Sequence, residues 1–86
     1  HFLSQNYPNP FNPVTKINYK LQAAGYVSLK VYDVLGNEIK ALVGMKQNAG
    51  NYNIEFDGSS FASGIYFYSL HLNNTPVETR KMMLLK

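Results

Sequence analysis

The sequence predicts an all-β domain, an immunoglobulin-like antiparallel β-sandwich of about seven short strands. Three observations predict it. Stretches between Gly, Asn, Asp and Pro alternate apolar and polar residues with period two, the side-chain repeat of a strand. Turn residues recur at the spacing of roughly 8–12 residues expected of a sandwich or a barrel. Phe61-x-x-Gly64-x-Tyr66 has the layout of a tyrosine corner, in which a phenol bonds back to backbone just before a central strand. That last feature favours the sandwich.

The elements follow in order. Phe2–Gln5 reads as a short first strand. In Asn6-Tyr7-Pro8-Asn9-Pro10-Phe11-Asn12-Pro13 the prolines remove donors and disfavour helical geometry in the residues before them. The run is expected to be extended and polyproline-like, with Phe11 anchored in the core. Thr15–Leu21 puts Ile17, Tyr19 and Leu21 on one face, and Tyr26–Tyr32 does the same with Val27, Leu29 and Val31. Asp33-Val34-Leu35-Gly36-Asn37 is a tight hairpin, because Asp33 can bond nearby amides and Gly36 can take positive φ. Glu38–Val43 returns as a strand with Ile39 as its core residue, and Gly44 to Gly50 is a polar loop. Asn51–Phe56 buries Tyr52, Ile54 and Phe56. After a turn at Asp57-Gly58-Ser59-Ser60, Ile65–Leu72 is apolar on both faces and should be central and covered. Asn73-Asn74 suits a two-residue turn. Thr75–Lys86 is the last strand, with Pro76 at its start where a missing donor matters least.

Composition narrows the function. Eighty-six residues hold one domain and one core. With no Cys there is neither a disulfide nor a thiol nucleophile. The +3 charge is spread along the chain, the pattern of a solvated surface rather than of a nucleic-acid-binding patch. No apolar run approaches the ~20 residues that span a bilayer as a helix. A Ser–His–Asp set would have to join His71 to Asp33 or Asp57, both at turns, and the other carboxylates, Glu38, Glu55 and Glu78, show no paired spacing. No catalytic, cofactor-binding or metal-ligating set is expected. Seven tyrosines leave carbohydrate stacking as an alternative, with Tyr26 and Tyr32 as the outward pair.

The run Leu3-Ser4-Gln5-Asn6-Tyr7-Pro8-Asn9-Pro10-Phe11-Asn12-Pro13 resembles the start of the type A C-terminal sorting domains of proteins exported by the type IX secretion system. The resemblance continues through Leu29-Lys30-Val31-Tyr32-Asp33-Val34-Leu35-Gly36 and Ala49-Gly50-Asn51-Tyr52. It runs on through Phe61-Ala62-Ser63-Gly64-Ile65-Tyr66-Phe67-Tyr68 and ends with Lys81-Met82-Met83-Leu84-Leu85-Lys86. The blocks stand in the family's order and cover nearly the whole chain. The same motifs resemble the immunoglobulin-like domain of flagellar hook-capping proteins, a structural module.

The sorting-domain resemblance implies one non-catalytic domain over residues 1–86, the end of a larger secreted cargo protein. It implies recognition by type IX machinery in the periplasm and outer membrane, and a product that is secreted or held at the cell surface. It places the signal at Gly64 and Tyr66 and in the final strand, from Lys81 and Met82 through Met83, Leu84 and Leu85 to Lys86. Pro8, Asn9, Pro10, Phe11, Asp33 and Gly36 belong to the structural motifs. If the final strand lies at an edge, its unpaired backbone suits addition to a partner's sheet, with Arg80, Lys81 and Lys86 as charge complement. Met82 and Leu84 would close the core.

Overall fold

The computed structural model describes all residues from His1 to Lys86, and the chain forms seven strands and no helix. The strands are β1 (Phe2–Leu3), β2 (Val14–Leu21), β3 (Gly25–Tyr32), β4 (Glu38–Gln47), β5 (Gly50–Asp57), β6 (Gly64–Leu72) and β7 (Thr75–Leu84). They make two antiparallel sheets, one ordered β1-β2-β5 and the other β4-β3-β6-β7. This is the immunoglobulin-like sandwich that the sequence predicts.

Period-two patterning drives the assembly. Ile17, Tyr19 and Leu21 from one sheet meet Val27, Leu29, Val31, Tyr68 and Leu70 from the other in a core of 16 buried apolar residues. Fully burying one such side chain contributes about 1.5–3 kcal/mol before chain entropy is charged against it. Aromatic pairs add directional packing: Phe11 meets Phe56 edge-on at 5.9 Å, and Tyr19 stacks on Tyr52 at 5.2 Å. β6 is central, between β3 and β7.

Two turns form as their residues require. Gly36 takes φ 85° in the β3–β4 hairpin, and Asn73 and Asn74 take φ 52° and 66° in the β6–β7 hairpin. Asn73 is also used structurally, accepting a hydrogen bond from the Tyr26 amide at 2.8 Å.

The structure corrects three expectations. First, β4 runs on to Gln47, so the polar loop shrinks to Asn48-Ala49. Gly44 to Gln47 pair with Ser28 back to Gly25. Register shifts between Leu29 and Lys30 and between Val31 and Tyr32 alter the phase of β4. Val43 therefore enters the core, and Ile39 packs only partly against it. Second, Tyr52 and Ile54 are half-buried, because β5 is the edge strand of the smaller sheet; only Phe56 is sealed. Third, the proline-rich run is bent rather than polyproline-like. Its Tyr7-Pro8, Asn9-Pro10 and Asn12-Pro13 peptide bonds are cis, and the chain bends through Pro8-Asn9-Pro10. Phe11 is anchored in the core as expected, at 1 % exposure.

Candidate functional site

The proline-rich run crosses from one sheet to the other. Tyr7 still pairs with Lys16 of β2, exchanging backbone hydrogen bonds of 3.0 and 2.9 Å. Four residues later Phe11 pairs in parallel with the end of β7: its amide donates to the Met83 carbonyl and its carbonyl accepts from the Leu85 amide, each at 2.9 Å. Two side-chain amides extend the seam. Asn9 Oδ1 accepts from the Met83 amide at 3.0 Å, and Gln5 Nε2 donates to the Lys81 carbonyl at 2.7 Å.

The crossing itself is held from within by a small polar knot. Asn6 and Thr15 are buried, and Asn6 Nδ2 donates to the Pro8 carbonyl and to Thr15 Oγ1, while the Thr15 hydroxyl donates to the Pro8 carbonyl at 2.8 Å. Every buried side-chain polar atom has a partner. Pro8, Asn9, Pro10 and Phe11 are thus the strap that joins the start of the chain to its end.

β7 is an edge strand of the larger sheet. From the Lys81 carbonyl to the Leu85 amide, however, its outer edge is already filled by Gln5, Asn9 and Phe11. Strand addition there would have to displace the strap, so the edge in this folded form does not offer the open ladder that such addition uses.

The final residues divide by face. Met82 and Leu84 are sealed in the core, at 1 % and 0 % exposure. Lys81, Met83, Leu85 and Lys86 are exposed. Arg80 shares the inward phase and is engaged there: its Nε donates to the Leu3 carbonyl at 2.9 Å, and its Nη2 lies 2.7 Å from Glu78. It is a brace between β7 and β1 rather than a free cation. Lys86 is tied to the turn before β6, its amide donating to Ser63 Oγ at 3.0 Å and its ammonium to the Ser59 carbonyl at 2.6 Å.

Gly64 and Tyr66 open β6 directly across from Leu84 and Met82. Tyr66 donates its phenol to the Ala62 carbonyl at 2.6 Å, the bond that defines a tyrosine corner. Its ring packs on Phe61, which stacks on Phe56. Gly64 takes φ 155°, a backbone shape that side-chain-bearing residues rarely adopt, although space for a Cβ is open. These two residues therefore pair with the end of β7 on the side opposite the strap.

Asp33 and Gly36 lie at the tip of the β3–β4 hairpin. Asp33 Oδ1 accepts from the Leu35 and Asn37 amides, each at 2.9 Å. The Asn37 amide, with its side chain and the Leu35 and Gly36 amides adding, holds the Asp33 carboxyl below its ordinary range. Asp57 likewise is held low by the Ser59 hydroxyl and amide. Both carboxylates are spent on turn geometry. Tyr26 and Tyr32 stand six positions apart along β3, about 20 Å at strand rise, too far apart to form one sugar platform.

Residues 5–85 match the family described as the secretion system C-terminal sorting domain. The chain belongs to that family. A sorting domain of this type is a C-terminal signal for type IX secretion, and it implies a linked cargo and contact with the secretion machinery. It likewise implies secretion or cell-surface attachment through the outer membrane. No curated protein and no solved structure matches the chain. No helix is long and apolar enough to cross a membrane.

What the sequence did not indicate is how this sorting domain joins its two ends. Gln5 and Asn6 lie in the resembling run but are not among the residues singled out within it, yet one bonds the final strand and the other holds the strap.

Proposed function

We propose that this domain directs a covalently attached upstream cargo across the outer membrane as a non-catalytic recognition module, and that it is read as a folded surface. The exposed side chains of Lys81, Met83, Leu85 and Lys86 carry the signal. Gly64 and Tyr66 flank them on the β6 side, and Pro8–Phe11 fixes them on the opposite edge.

One observation carries the reading: the family match spans nearly the whole domain, and its first and last blocks are hydrogen-bonded to each other through Asn9, Phe11, Met83 and Leu85. A signal built this way depends on both blocks. The test is a reporter with a signal peptide fused ahead of residues 1–86, expressed in a bacterium that has the type IX system. The fusion should appear outside the cell. Retention in the periplasm while a resident cargo exits would refute the proposal.

A further inference from the structure

On the larger sheet, residues alternate between core and outside, and cross-strand partners share a face. Tyr66, Tyr68, Leu70 and Leu72 point inward, so Ile65, Phe67, Ser69 and His71 point outward. The outer face of a sandwich sheet is normally polar. Here the second half of β6 obeys the rule with Ser69 and His71, and the first half breaks it with Ile65 and Phe67. Both are only half-buried.

Register completes the patch. Tyr32, Phe67 and Lys81 form one row across β3, β6 and β7, and Ile65 and Met83 form the next. The strap supplies a wall: Asn9 and Pro10 border Ile65, Lys81 and Met83 around a shallow hollow of about 260 Å³. Core packing does not account for this cluster, which lies on the far side of the sheet from the core.

Charge gives the chemistry of the occupant. Glu38 is the single carboxylate in the outward phase of this sheet, and Lys30 holds it at 3.0 Å. Lys81, in the same row as Phe67, has no carboxylate partner. The patch is therefore apolar with one unneutralised cation, Lys81, at its border. We infer that the outer face around Phe67, Ile65 and Met83 is the docking surface for a protein segment of the export machinery that presents an apolar side chain beside a carboxylate. The inference rests on the sorting reading and deepens it, since it assigns recognition to the face of β6–β7 rather than to the strapped edge.

The test uses the same reporter fusion with Phe67→Ser and, separately, Lys81→Glu, each checked for a cooperative thermal transition. Lys81 is exposed, so its variant keeps the experiment decisive if Phe67→Ser unfolds. The expected result is export at least ten-fold below wild type for both variants, with folding retained in Lys81→Glu. Wild-type export from a folded Phe67→Ser fusion would overturn the docking surface, and wild-type export from Lys81→Glu would overturn the acidic partner. A wild-type domain that dimerises through Phe67 in sedimentation while the folded variant still exports would assign the face to self-association and overturn the inference. If the wild-type fusion itself is retained, the sorting reading fails first, which is a separate outcome.

Discussion

The side chain of Asn9 accepts a hydrogen bond from the backbone amide of Met83 at 3.0 Å, across 74 positions of sequence. This contact sits beside the backbone pairing of Phe11 with Met83 and Leu85 and makes the strap part of the larger sheet. It also ties recognition to stability, because the residues proposed to be read are held in place by residues at the other end of the chain.

Asn9→Ala removes one acceptor from that seam. A single intramolecular hydrogen bond contributes about 0.5–1.5 kcal/mol net. The variant should lose about that much in urea unfolding and keep its fold, since the two Phe11 bonds remain. No loss of stability would show that the seam is not maintained in solution.

Thr15→Val tests the polar knot beneath the strap. Valine matches the shape but leaves Asn6 Nδ2 with one partner fewer and takes a donor from the Pro8 carbonyl. Groups left short of partners in a buried site cost about 1–3 kcal/mol. Denaturant unfolding should show a loss in that range, larger than for Asn9→Ala. An equal or smaller loss would mean that water reaches the knot.

Tyr66→Phe isolates the tyrosine corner. The ring keeps its contact with Phe61, and only the bond to the Ala62 carbonyl goes. The expected cost is about 0.5–1.5 kcal/mol. Unchanged stability would reduce Tyr66 to a packing residue.

Tyr68 sets an alkaline limit. Its side chain is sealed in the core and donates to the Ser4 carbonyl at 2.7 Å. Burial pushes its phenol up to about 12 from 10.0. A folded value above the unfolded one means that the contribution is complete below pH 10 and is lost as pH rises toward 12. Stability should therefore fall over that interval, and less steeply in Tyr68→Phe. An identical alkaline slope in the two proteins would contradict this.

Much of the fold is legible in the sequence because β2 and β3 keep strict alternation, β6 is apolar enough on both faces to read as central, and the turns carry Asp33, Gly36, Asn73 and Asn74. β4 is less legible for a physical reason. Its two register shifts break the period, so Ile39 falls partly out of the core while Val43 enters it, and Gly44 looks like a loop residue within a paired strand. Among the expected site residues, Tyr66 is readable from its local spacing. The division of the last strand into sealed Met82 and Leu84 and exposed Lys81 and Met83 also follows from alternation. The strap does not. Gln5 and Asn9 act through side-chain amides on backbone 76 and 74 positions away, and no local periodicity encodes such contacts. The engagement of Arg80 with Leu3 and Glu78 is hidden for the same reason.

Amide hydrogen exchange along β7 tests most directly whether the strap closes the edge of the final strand. The amides of Lys81, Met83 and Leu85 alternate away from β6. Met83 and Leu85 find acceptors in Asn9 and Phe11, and Lys81 finds none. Met83 and Leu85 should therefore be protected in the wild-type domain while Lys81 exchanges at the rate of a free edge, and Asn9→Ala should release Met83. Equal, rapid exchange at all three amides would contradict the closed edge and with it the view that the two ends of the domain form one recognition surface.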